Sequence, residues 1–88
     1  MGIKEEILKV IKKPFGALID SEDEIRLILK RRLTKKEYKI FMAKVEGKNL
    51  EELKIKLNLS NERFNELLLN IEKKLNSNAI KEEIFSTN

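Results

Sequence analysis

From residue 60 the chain reads Ser-Asn-Glu-Arg-Phe-Asn-Glu, and four of these side chains carry groups suited to reading the edge of another molecule. Asn61 and Asn65 each present a donor and an acceptor side by side, the pattern that matches the N6/N7 edge of adenine. Glu62 can accept from the N4 amine of cytosine, and Arg63 adds a cation on the same edge. A second group is cationic. Residues 30 to 44 hold Lys30, Arg31, Arg32, Lys35, Lys36, Lys39 and Lys44 against Glu37 alone, a local balance of seven minus one. Such a run can grip phosphates, which supply most non-specific affinity for nucleic acid. Each group also has a plainer reading. The first is equally a solvated helix edge, with Glu62 favoured by the helix dipole and Arg63 paired to Glu66 or Glu62 for under about 1 kcal/mol. The second is equally an ordinary solvated face in a Lys-rich chain.

Other chemistry is excluded by what the 88 residues lack. There is no Cys, hence no disulfide framework, no thiolate zinc site and no thiol nucleophile; there is no His, hence neither the commonest general base nor the commonest metal ligand. The expectation is no enzyme, no cofactor, no metal and no small-molecule substrate. Glu22-Asp23-Glu24 reads as a helix N-terminal dipole partner, because three adjacent carboxylates cannot converge on one ion. Apolar runs are a few residues long, far short of the about 20 that span a bilayer, and the first residues carry no secretory apolar core. A cytoplasmic protein with no membrane association is expected. The net charge of +4 is modest, so its placement matters more than its size.

Helices must position these groups. Ile3, Ile7, Leu8 and Ile11 form one apolar stripe on a first helix of about residues 3 to 13, ended by Pro14 and Gly16. Ser21 and Glu24 spell a capping box before a second helix with Ile25, Ile28 and Leu29 inward and Leu33 near its end. Thr34 and Glu37 spell another before a third helix, whose face is Tyr38, Phe41, Met42 and Val45 and which Gly47 stops. Asn49 caps a short fourth helix with Leu50, Leu53 and Leu57. Ser60 caps a fifth with Phe64, Leu67, Leu68, Ile71 and Leu75. A last turn or two around Ile80, Ile84 and Phe85 precedes a frayed Ser-Thr-Asn end. No paired period-two runs occur, so no sheet is expected. The fold expected is all-α, a compact bundle of five to six short helices. Residues 1–32 form a two-helix segment packed on the core, 33–76 the central unit, and 77–88 a short helix and tail.

Only Leu57-Asn58-Leu59 separates the fourth and fifth helices. So short a link forces them to cross at a large angle, with the third covering the apolar side of both, which is a tri-helical helix-turn-helix. Residues 33 to 75, LTKKEYKIFMAKVEGKNLEELKIKLNLSNERFNELLLNIEKKL, resemble without a gap the DNA-binding domain shared by LuxR-type regulators and region 4 of bacterial sigma factors. Leu33-Thr34 with Glu37 is similar to the opening of that family, Gly47 to its inter-helix glycine, and Glu52-Leu53 with Leu57-Asn58-Leu59-Ser60 to its short helix and turn. Ser60-Asn61-Glu62-Arg63-Phe64 is closer to the sigma pattern; Asn70-Ile71 with Lys73-Lys74-Leu75 is closer to the LuxR-type close. The chain departs in having Asn61 and Asn65 where the sigma family is basic, Asn58 at the turn glycine, and Lys54 at a usual alanine. Residues 61 to 76 balance Arg63, Lys73 and Lys74 against Glu62, Glu66 and Glu72.

The resemblance implies a transcription-related protein that reads duplex DNA with the fifth helix in the major groove. Asn61, Glu62, Arg63 and Asn65 would face bases; Lys35, Lys36, Lys39, Lys48 and Ser60 would hold phosphates. One motif gives little affinity alone, so a homodimer, or docking on RNA polymerase or another regulator, is implied. The rival reading keeps the fold as a protein-interaction adaptor without autonomous DNA binding, using Ile55, Leu69, Ile80, Ile84 and Phe85, and the neutral fifth helix favours it.

Overall fold

The computed structural model describes residues 2–13 and 16–86. It contains α1 (Ile3–Val10), β1 (Ala17–Leu18), α2 (Glu22–Arg32), α3 (Lys35–Glu46), α4 (Leu50–Lys56), α5 (Asn61–Leu75), α6 (Asn78–Ile84) and β2 (Phe85–Ser86). The all-α bundle expected from periodicity is the fold. Among the described residues no helix is long and apolar enough to cross a membrane.

Capping chemistry sets most helix starts. At α3, Thr34 Oγ1 accepts from the Glu37 amide at 3.2 Å while Glu37 Oε1 accepts from the Thr34 amide at 2.9 Å, so both halves of the box form. At α2, Ser21 Oγ accepts from the Glu24 amide. Asn49, Ser60 and Ser77 cap α4, α5 and α6 in the same way. α3 and α4 both end in Schellman motifs. Gly47 lies at φ 71° with the Lys48 amide bonded to Ala43 O. Asn58 lies at φ 55° with the Leu59 amide bonded to Lys54 O.

α1 is shorter than the expected 3 to 13. Ile11 is already extended, and the Lys12 amide donates to Asn76 Oδ1 at 2.8 Å instead of continuing the helix. Asn76 Nδ2 in turn donates to Val10 O, so one amide at the end of α5 closes the end of α1. Pro14, expected to end α1, lies outside the described residues. The expectation of no sheet is corrected by a two-stranded antiparallel pair, Ala17 with Ser86 and Leu18 with Phe85. Two residues are too few to show a period. The pairing arises because the chain enters α2 beside the place where it leaves α6, and the Ile19 amide also reaches Ile84 O.

One core serves all of this. Ile3, Ile7, Ile25, Leu29, Ile40, Phe41, Leu75 and Ile84 are completely or almost completely buried. α3 contacts α1, α2, α4 and α5, and α6 lies on α2 and α5. Ile40 and Ala43 are buried although the expected α3 face omitted them, because α3 is covered on more than one side; Tyr38 and Met42 are half-buried. Leu8, placed on the α1 stripe by spacing, is exposed. Glu37 is only 2% exposed and is met by Lys74 Nζ of α5 at 2.6 Å. Burial pushes its carboxyl up, but hydrogen bonds from Lys74 and the Thr34 amide, with the Lys74 charge, hold it below the ordinary carboxylate value.

Candidate nucleic-acid interface

The turn between α4 and α5 fixes where the polar edge of α5 points. With Asn58 left-handed and Ser60 Oγ accepting from the Arg63 amide at 3.1 Å, α5 begins sharply, and Phe64, Leu67 and Ile71 turn inward. Asn61, Glu62, Arg63 and Asn65 are then all exposed on the outer edge of its first turns. The structure therefore brings the four base-facing candidates together.

Two of the four already have partners. Asn61 Oδ1 accepts from Lys54 Nζ, and Lys54, mostly buried, is also paired to Glu51 at 2.8 Å. Arg63 donates to Glu66 at 2.7 Å, the surface pair that spacing offered as its plainer reading. Lys54, replacing a small residue in the resembled family, does reach out of the α4 contact, and it delivers a cation to the head of α5. Sequence reasoning treated Lys54 as a packing anomaly rather than as part of the edge.

The lysine candidates for phosphate contact run along α3 and on to α4, with Lys35 and Lys36 one turn before Lys39 on the same helix. The Glu37–Lys74 contact sets the start of α3 beside the end of α5, so exposed Lys35 and Lys36 lie about 15 Å along α5 from the Asn61–Asn65 edge. Lys39 and Lys48 line one shallow groove between α3 and α4 with Tyr38 and Leu53, and Lys48 and Lys56 line the next. Lys39, Lys48 and Lys56 thus form a row leading along α4 towards α5. Lys56 was missed, though it stands in the last turn before the expected helix turn. Glu46, paired to Lys48 at 2.9 Å, and Glu52 interrupt the row. Ser60 stands at the head of α5 with its hydroxyl engaged in the cap. Arg31 and Arg32 are withdrawn from the basic stretch: both meet Glu83 of α6, Arg32 at 2.9 Å, and the Arg32 hydrogen bond holds the Glu83 carboxyl below its ordinary value.

The protein-contact candidates divide. Ile55 and Leu69 are exposed, as their positions off the inward stripes required. Ile80, Ile84 and Phe85 offer no surface; they are 2%, 0% and 3% exposed, and this expectation is corrected. α6 folds back onto α2 and α5 and spends its apolar face on the common core.

Among the described residues no group of three acidic, His or Cys side chains is placed to hold a metal ion. Compared with protein-family models, curated proteins and solved structures, the chain matches none.

Proposed function

We propose that the chain is a small, cytoplasmic, transcription-related protein that binds duplex DNA, laying the first turns of α5 in the major groove. The observation that carries the reading is the exposed edge Asn61–Glu62–Asn65 at the head of a helix whose opposite side is buried, set there by a short turn with a left-handed Asn58. The resemblance of residues 33 to 75 to the LuxR-type and sigma region 4 domain supports it. On DNA, the well-exposed Arg63–Glu66 pair opens at small cost, and Asn61 leaves Lys54, whose ammonium keeps its pairing to Glu51. Lys39, Lys48 and Lys56 follow the phosphate backbone, and Lys35 and Lys36, one turn before Lys39 on the same helix, extend the row.

A second reading has its own observation. Glu46 and Glu52 break the lysine row, and the head of α5 is internally paired, which suits an adaptor that has kept the fold and contacts RNA polymerase or another regulator.

Fluorescence anisotropy of a labelled mixed-sequence duplex at about 50 and 200 mM salt separates them. DNA binding requires affinity that falls steeply with salt, and a salt slope reduced by about 1 for each lysine removed in Lys39→Ala and Lys48→Ala. No binding at tens of micromolar protein in the lower salt leaves the adaptor reading.

A further inference from the structure

Away from the head of α5, the end of α1 and the middle of α5 enclose two adjoining clefts, of about 320 and 470 Å³, that share Lys12, Leu69 and Glu72. Lys9, Lys13, Lys44, Lys73 and Lys81 add to a basic lining in which Glu72, the one acid among the described lining residues, lies 3.7 Å from Lys12. Leu69, 56% exposed, stands in both. A lone surface leucine needs no explanation. A leucine set in a concave, lysine-lined surface fits an apolar side chain flanked by carboxylates. The phosphate backbone of a nucleic acid would gain nothing from Leu69.

The same chain carries such a face. The first turn of α2 exposes Glu22, Asp23 and Glu24, and one turn on Leu27, 62% exposed, lines a groove with Glu24, Ile28 and Arg31, whose guanidinium is tied to Glu83 of α6. Leu27 lies three residues after Glu24 and four after Asp23, so the apolar side chain and these carboxylates share one side of the helix. Among the described residues, Asp23 is tied only to Arg26 of its own helix, at 3.3 Å and well exposed. An exposed leucine thus stands behind acids on one surface and among lysines on the other.

We propose that the α1/α5 cleft receives the acidic, leucine-bearing start of α2 from a second copy of this chain. The contact joins two different surfaces, so it either closes reciprocally in a two-fold dimer or repeats head to tail in short open chains or a ring. It lies at the weak, transient end of protein interfaces and tightens as salt is lowered. It leaves the head of α5 unused and stands whether or not that edge binds DNA, since the association needs no nucleic acid.

The test is sedimentation velocity of the whole chain without DNA, at protein up to about 1 mM, where contacts of about −4 kcal/mol become visible. Wild type is expected to gain mass with concentration and to lose that gain in high salt. Leu27→Gln and Leu69→Gln keep a good helix former at exposed sites, so each folds as wild type by circular dichroism; each weakens self-association at least about tenfold. An equimolar mixture of the two variants has one intact pairing, the cleft of the first with the α2 face of the second. The mixture is therefore expected to form a dimer and nothing larger. A monomeric wild type, mass gain indifferent to salt, variants that associate like wild type, or a mixture that stays monomeric would each overturn the proposal.

Discussion

Glu37 does two jobs with one carboxylate, closing the start of α3 through the Thr34 amide and meeting Lys74 across the interface with α5. Its place in the capping box was legible in Thr34-x-x-Glu37; its burial and its partner were not, because Lys74 lies 37 residues away. Its folded-state value is depressed, so the folded form releases the proton more readily than the unfolded one. The stability this adds is complete above the ordinary carboxylate range and is lost as pH falls through the lower, folded value. Glu37→Gln keeps an acceptor for the Thr34 amide and loses the charge. It should cost about 1 to 2 kcal/mol at pH 7 in urea unfolding, with the gap from wild type closing towards pH 3. A gap constant with pH would mean that the Lys74 contact adds nothing. At the same scale, Asn61 and Arg63 were correctly placed as exposed, but their partners Lys54 and Glu66 show that exposure does not leave a side chain unengaged.

Helices were most legible where cap and stripe agreed. α5 runs from the Ser60 cap to Leu75 much as its spacing required, and the Asn58 turn was readable because Asn tolerates the left-handed region. Replacing Asn58 therefore has a sign that depends on the newcomer. Asn58→Ala should destabilise by about 1 kcal/mol and Asn58→Gly should be neutral or slightly stabilising in thermal unfolding. Equal losses in both would show that the Asn side chain, and not its backbone conformation, matters. Legibility failed where a helix ended on a distant group. α1 stops at Val10 because Asn76 takes the Lys12 amide and donates to Val10 O, and nothing within residues 3 to 13 records that. β1 and β2, two residues each, were equally invisible.

At the scale of the molecule, residues 78 to 86 are structural. A short apolar run near a polar end looks the same in sequence whether it docks on a partner or on its own chain. What decides is whether the core has a side left to cover, which only the assembled helices show. Ile80, Ile84 and Phe85 fill that side, and Glu83 ties α6 to Arg31 and Arg32 of α2. Phe85→Ala should cost about 3 to 5 kcal/mol, a large part of the stability of a chain this size, whereas Leu69→Ala at an exposed site should stay within about 0.5 kcal/mol. Urea titration of the two variants beside wild type checks both; a Phe85→Ala protein as stable as wild type would return the tail to the surface role first expected of it. The same assembly brings Lys48 and Lys56 beside Lys39 of α3, a row set by the packing of α3 against α4 and absent from linear spacing.

The central claim, that the outer edge at the head of α5 is the DNA-reading surface, is tested most directly by amide chemical-shift mapping of the labelled chain during titration with duplex DNA at low salt. The largest shifts are expected at residues 60 to 66, including the side-chain amides of Asn61 and Asn65, with smaller ones at Lys39, Lys48 and Lys56. An unperturbed spectrum, or shifts confined to the cleft around Leu69 and the end of α1, would contradict it.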